Sequence, residues 1–303
     1  MQNVMQQVTL IPDGPAVSRL IAGVWRMADW QMTAAARHAW INACLEQGIN
    51  SFDHADIYGN QTCETLFGEA LTLEPAMRDR LLLISKCGIR LAGQSPDRFT
   101  PPAHIKHYDT SRGHIDRSVE NSLRRLCTDH LDVLLLHRPD PLMDADEIAE
   151  AFTMLRASGK VRWFGVSNHS PSQLALLQSR LSFPLVTNQI EISPAHVAPF
   201  TSGVLAQCQQ LRMRPMAWSP LAGGRLRQNT AVADALLDVG EQCGLSLEQA
   251  ALAWLLAHPA GIVPIVGTGN PERMAHLAAA TTARLGREQW FQIYRASLGA
   301  DVP

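Results

Sequence analysis

The sequence predicts a (β/α)8 barrel, the TIM-barrel class, with an active site at the C-terminal ends of its strands. Three observations carry that expectation. Short, nearly continuous apolar runs recur eight times, as strands buried on both faces of a parallel sheet do. Segments with helical spacing lie between them. A Gly-x-Gly-x-x-Gly turn, the usual mark of the competing open doubly wound sheet, is absent after the first run. The 303 residues are 46% hydrophobic and 18% charged, enough apolar material for one large barrel, so residues 1–303 are expected to form a single domain.

The strand-like runs are "LIAGVW" (20–25), "INSFDHA" (49–55), "LLLISKCG" (81–88), "LDVLLLH" (131–137), "VRWFGVS" (161–167), "LVTNQIEI" (185–192), "RPMAWSP" (214–220) and "GIVPIVG" (261–267). Between the first two, "TAAARHAWINACLEQG" opens on a Thr suited to cap a helix and closes on a Gly suited to end one. Its Ala36, Ala39, Trp40, Ala43 and Cys44 fall on one helical face. "DTSRGHIDRSVENSLRRL", "DADEIAEAFTMLRASGK", "SPSQLALLQSR" and "LSLEQAALAWLLAHP" read the same way, and the second of these has early acids and a terminal Gly-Lys that suit the helix dipole. The longest connection, about 89–110, is rich in Gly, Pro and charge, as functional or mobile loops are.

A formal net charge of -2 points away from nucleic acid and from an anionic membrane. No apolar run approaches the roughly 18 residues of a membrane span. The N-terminus lacks the basic and apolar regions of a signal peptide, and six scattered cysteines show no Cys-x-x-Cys pair. A cytoplasmic protein with reduced thiols is expected, monomeric or weakly self-associating.

Polar residues stand at the end of nearly every strand-like run. Asp53 ends the second, with Tyr58 in the loop beyond; Lys86 ends the third, His137 the fourth and Ser167-Asn168 the fifth. Gln189 lies in the sixth, Trp218-Ser219 ends the seventh, and the eighth leads into "GTGNPER". Any one of these could be a solvated loop residue. Together, Asp53, Tyr58, Lys86 and His137 make a proton-donating site. A phenol is a poor acid at neutral pH, an adjacent ammonium favours the phenolate, and a carboxylate can hold that ammonium in place. Such a site has neither nucleophile nor metal, so a hydride from a nicotinamide cofactor suits it. His104 and His107 are spaced like metal ligands but lack a third, and "GVWRM" is not the His-x-His of a barrel hydrolase.

These motifs resemble the aldo-keto reductase family. The resemblance runs from about residue 15 to about 280 through "GINSFDHADIYGN", "LLLISKCG", "HIDRSVENSLRRLCTDHLDVLLLHRPD", "VRWFGVSNHS", "TNQIE", "AWSPLAGG" and "GTGNPERM". "LLLHRPDPLMD" and the Trp of "AWSPL" are similar to a bacterial oxidoreductase branch, typified by YdhF-like proteins. The resemblance implies a catalytic tetrad of Asp53, Tyr58, Lys86 and His137, with Tyr58 the acid in reduction of aldehydes or ketones. It implies that Ser167, Asn168 and Gln189 hold the nicotinamide carboxamide and that Trp218 stacks on its ring. Ser219, Leu221, Gly223 and Arg225 are assigned to the pyrophosphate, and the loop that begins at Gly267 to the adenosine end, with Thr268 and Arg273 near its 2′-phosphate. NADPH (NADP+) is therefore favoured over NADH, although Gly267-Thr268 and His276-Leu277 replace more polar pairs common in the family. Trp25 is assigned to the substrate wall, with packing as its other reading, and His54, standing where Thr is common, to the pocket edge beside the tetrad, with a structural role as its other reading. A different reading is an NADP-binding regulatory or redox-sensing subunit with little turnover. The intact tetrad favours the enzyme, acting on a small-molecule carbonyl.

Overall fold

The computed structural model describes residues 5–95, 97 and 100–302. Eight strands close into a barrel: β1 (Ile21–Gly23), β2 (Ser51–Asp53), β3 (Leu82–Cys87), β4 (Leu131–Leu136), β5 (Val161–Ser167), β6 (Asn188–Glu191), β7 (Met216–Trp218) and β8 (Val263–Val266). Every neighbouring pair is parallel, and β8 pairs with β1. The barrel expected from the apolar runs is the one observed. Seven strands are shorter than their runs, because the flanking residues turn into loops once the ladder ends, and β5 spans its whole run. All six residues of β3 and all six of β4 are buried.

The helices are α1 (Ala34–Glu46), α2 (Cys63–Leu71), α3 (Arg112–Leu126), α4 (Ala145–Ala157), α5 (Pro171–Gln178), α6 (Val204–Gln210), α7 (Thr230–Cys243), α8 (Leu247–Leu256), α9 (Pro271–Ala278) and α10 (Arg287–Leu298). Their starts follow capping chemistry. Thr33 Oγ1 accepts from Ala36 N at 3.2 Å, Asp144 accepts from Asp146 N and Glu147 N, and Ser170 and Ser246 form capping boxes with Gln173 and Gln249. In α1 the buried face is Arg37, Trp40, Ile41 and Cys44; Ala36 and Ala39, expected on it, are exposed. Arg37 displaces them because its guanidinium bonds Met32 O and Glu69 at the helix layer.

The buried Arg19 and the half-buried Arg78 close the lower end of the barrel. Arg19 donates to the carbonyls of Leu256 and Ile262 across the β8–β1 seam. Arg78 donates to Asp132 Oδ2 at 2.9 Å and to His130 O at 3.0 Å, while Leu83 N also donates to that carboxylate, so Asp132 is buried with partners. An antiparallel hairpin, Gln7–Thr9 with Ala16–Ser18, lies at this end, where Arg214 N donates to Leu10 O.

The long connection contains a short antiparallel ladder, Ile89–Arg90 with His107–Tyr108. His104, His107 and Tyr108 are exposed; Phe99 falls outside the described residues. His114, just beyond the loop, is buried on α3. The tail forms α10, and Trp290 stacks on Trp254 of α8 (centroids 5.1 Å apart, 14° between planes) with reciprocal indole-to-carbonyl hydrogen bonds. All six cysteines are free thiols. No helix among the described residues is long and apolar enough to cross a membrane.

Candidate active site

Strand register decides which side chains meet. Paired residues of parallel neighbours point to the same side of a sheet, and alternate residues along one strand share a face. Asp53 pairs with Ile84, Lys86 with Leu135, Leu135 with Gly165, Ser167 with Gln189, and Gln189 with Met216. Lys86 lies two residues beyond Ile84, His137 two beyond Leu135, Ser167 two beyond Gly165 and Trp218 two beyond Met216. The register therefore turns Asp53, Lys86, His137, Ser167, Gln189 and Trp218 to the interior at the C-terminal mouth.

Lys86 Nζ is the hub. It donates to Asp53 Oδ2 at 2.7 Å, to His54 O at 2.7 Å and to Tyr58 OH at 3.0 Å. Gln189 Nε2 donates to the other Asp53 oxygen at 2.8 Å, so both carboxylate oxygens are occupied. Burial disfavours the Lys86 ammonium, but Asp53 and then Tyr58 outweigh it, and its pKa lies above the usual lysine value. Burial likewise raises the Tyr58 phenol. Lys86 pulls it back without cancelling the effect, so the net shift is upward rather than the depression expected from the sequence. The phenol keeps its proton at neutral pH, and Lys86 is placed to stabilise the phenolate once that proton leaves.

His137 completes the tetrad, its ring edge-on to Tyr58 with centroids 5.9 Å apart. Burial, then Lys86, Arg138 and Lys106, holds its pKa well below the ordinary histidine value, so the imidazole is neutral. Its Nδ1 is buried without a hydrogen-bond partner among the described residues. Trp25 stands at the rim, 57% exposed and 6.5 Å from Tyr58 between ring centroids.

His54 is a correction. It follows Asp53, so alternation turns it outward, and its ring is fully buried edge-on against Phe67 of α2 at 4.5 Å. It lies in the barrel–helix layer rather than in the pocket.

The dinucleotide-binding candidates line the other half of the mouth. Asn168, with φ +59°, donates to Ser167 Oγ at 2.8 Å and accepts from Trp218 Nε1 at 2.9 Å, which fixes the plane of the indole. Ser167 Oγ donates to Gln189 O at 2.8 Å. After β7, Ser219, Ala222, Gly223 and Gly224 all have left-handed backbone. A Cβ on Gly223 would lie 2.9 Å from Arg225 Nη1, so only glycine lets that guanidinium lie over the turn. Thr268 leads into the N-terminus of α9, with Trp40 Nε1 donating to its carbonyl at 3.0 Å, and Arg273 is exposed on the first turn. A Cβ on Gly267 would crowd Gly23 O at 3.0 Å, joining this loop to β1. These groups fit a nicotinamide dinucleotide: a fixed flat ring beside the tetrad, small-residue backbone next to an arginine, and a positive helix end for a phosphate.

A profile of the Aldo/keto reductase family matches residues 19–297. The chain is an aldo-keto reductase. Oxidoreductase YdhF of Escherichia coli (strain K12) is 50% identical over 99% of this chain and 100% of its own. The 6-dehydroglucose reductase of Agrobacterium fabrum is 46% identical, over 98% of this reductase and 100% of its own length. Among solved structures, an aldo/keto reductase from Klebsiella pneumoniae in complex with NADP and acetate superposes with a TM-score of 0.79 at 28% identity. It covers 96% of this chain and 95% of that one. The reductase is thus an NAD(P)H-dependent oxidoreductase, and its family and NADP-bound neighbour support NADP(H) as cofactor.

Two features of the reductase's site were not read from the sequence. Arg138, directly after His137, places its guanidinium 5.3 Å from the Trp218 ring, where it acts on both Tyr58 and His137. Its place in "LLLHRPD" was the available signal. The second is a set of polar residues beneath Tyr58, the buried Asp56 and Glu64 with the half-buried Arg125. Arg125 sits in "SLRRL", where two successive arginines give no indication of which one turns inward.

Proposed function

We propose that this reductase reduces aldehyde carbonyls to alcohols with NADPH, using Tyr58 as the general acid. The observation that carries the reading is the fully buried Lys86 ammonium held between Asp53 at 2.7 Å and Tyr58 at 3.0 Å. The dinucleotide, when bound, supplies the hydride for the carbonyl carbon. Tyr58 gives its O–H proton to the carbonyl oxygen as negative charge develops there. Lys86 then faces a phenolate instead of a phenol, a gain made during proton transfer rather than on binding. Asp53 keeps Lys86 charged, and Gln189 keeps Asp53 in place. Neutral His137 orients the carbonyl oxygen through a ring N–H. Ser167, Asn168 and Gln189 are assigned to the carboxamide, Trp218 to the nicotinamide face, and Ser219, Leu221, Gly223 and Arg225 to the pyrophosphate. The loop that begins at Gly267 is assigned to the adenosine end, with Thr268 and Arg273 near the 2′-phosphate.

Two relatives that align over nearly the whole chain, at 46% and 40% identity, are named 6-dehydroglucose reductases. We propose a polyhydroxylated aldehyde of that kind as substrate. The neutral His137, the Trp25 face and the nearby Arg138 supply the donors and the flat apolar surface that sugars pair with. The test is cofactor oxidation, followed by near-ultraviolet absorbance, with 6-dehydroglucose and with 4-nitrobenzaldehyde, each with NADPH and NADH. Turnover of both aldehydes, with kcat/KM at least about tenfold higher for NADPH (about 1.4 kcal/mol), is expected. Equal use of NADH would refute the 2′-phosphate assignment, and failure with 6-dehydroglucose alone would refute the sugar assignment.

A further inference from the structure

The segment that carries Tyr58 is held in an uncommon conformation. Gly59, Asn60 and Gln61 follow it with φ of +58°, +53° and +72°, and two of these are not glycine. Successive left-handed residues with side chains persist only where the surroundings hold them. The surroundings here are a polar cluster between β2, β3, α2 and α3, in which Asp56, Glu64 and Ser85 are buried and the half-buried Arg125 of α3 is the centre. Its Nη1 donates to Asp56 O at 3.2 Å and its Nη2 to Gln61 Oε1 at 3.0 Å. The two bonds grip residues on either side of Tyr58. The same guanidinium lies 3.7 Å from Glu64 Oε2, and Glu64 accepts from Ser85 Oγ at 2.6 Å, next to Lys86 in β3. Asp56 N also donates to Lys86 O at 3.1 Å.

Charge in the cluster fits this arrangement. Burial, and then Glu64, pushes the Asp56 carboxyl up to about 8, so it is mostly protonated at neutral pH and leaves the Arg125 charge facing Glu64. Contact between α2 and α3 is made by Gly68, where a Cβ would lie 2.0 Å from Arg125 O. Arg125 reaches this segment from α3, outside the barrel, whereas the residues assigned to substrate and cofactor face the mouth.

We propose that Arg125 is a positioning residue for the general acid: its two-pronged grip on Asp56 and Gln61 holds the Tyr58 phenol at bonding distance from Lys86. The proposal rests on the reading of Tyr58 as acid. It separates a fixed acid from a bound substrate, so its loss lowers kcat while leaving affinity alone.

The experiment measures kcat, aldehyde KM and NADPH Kd for Arg125→Met, Arg125→Lys, Gln61→Leu and Tyr58→Phe. Arg125→Met is expected to lose kcat about 10- to 100-fold, with KM and Kd within about twofold, and Arg125→Lys to recover part of the loss by bonding Asp56 O. Gln61→Leu removes one prong and leaves the Arg125–Glu64 pair intact, so it decides the matter if Arg125→Met does not fold. It is expected to lose kcat several-fold at unchanged KM. Wild-type kcat in Gln61→Leu, or kcat and Kd moving together in the folded variants, would overturn the proposal while Tyr58→Phe stays inactive. Full turnover in Tyr58→Phe would instead overturn the acid assignment beneath it.

Discussion

Replacing Lys86 by Met tests whether the buried ion pair is one electrostatic unit. Lys86 is fully buried and Asp53 nearly so, and the lysine makes three hydrogen bonds. Lys86→Met leaves the Asp53 carboxylate buried with Gln189 as its remaining donor, and breaking a buried pair in this way costs about 3–5 kcal/mol. At about 2.1 cal/mol/K per residue, 303 residues give an unfolding entropy of about 0.6 kcal/mol/K, so Tm should fall by about 5–8 °C. The double variant Asp53→Asn/Lys86→Met removes both charges. It should regain all but about 1 kcal/mol, a Tm within about 2 °C of wild type, while remaining inactive. Scanning calorimetry of the two single variants and the double variant is the assay. Additive losses in the double variant, or a Lys86→Met protein as stable as wild type, would refute the paired-charge account.

Other perturbations reach separate parts of the structure. His54 is buried with neither ring nitrogen hydrogen-bonded among the described residues, and burial followed by Lys86 lowers its pKa to about 3. Below the unfolded value of about 6.5 the unfolded chain takes up a proton that the fold does not, so stability falls as pH falls, by about 2 kcal/mol at pH 5. His54→Leu should therefore flatten the acid limb of a stability–pH curve measured by urea unfolding, with turnover within about twofold; an unchanged limb would contradict the assignment. Gly68→Ala sets a methyl 2.0 Å from Arg125 O and should cost about 1–3 kcal/mol in the same assay. Trp218→Ala should weaken NADPH binding by about tenfold or more, about 1.4 kcal/mol, in a fluorescence titration, with little change in Tm.

The barrel was legible in the sequence because strands buried on both faces are written as unbroken apolar runs, and β3 and β4 match theirs to within a residue or two at each end. The four-residue cluster was legible because Asp53, Lys86 and His137 stand at the ends of such runs and Tyr58 in the loop just beyond the second. What the runs did not show was direction. A one-residue step separates Asp53, turned inward to Lys86, from His54, turned outward to Phe67, and only register distinguishes them. The face of α1 was misplaced for a related reason: Arg37 is buried by its partners on other elements, which hydrophobic spacing does not encode. The upward shift of Tyr58 was missed because pairwise charge arguments omit burial, the largest contribution here. The Arg125 grip joins residues more than sixty positions apart, beyond the reach of a local motif.

The most direct test of the central claim compares wild type with Tyr58→Phe in NADPH oxidation by 4-nitrobenzaldehyde. The substitution deletes one hydroxyl and keeps the ring against His137 and Trp25. Loss of a positioned general acid predicts a fall in kcat of about 10²–10⁴-fold with NADPH affinity retained. Equal turnover in the two proteins would contradict the account.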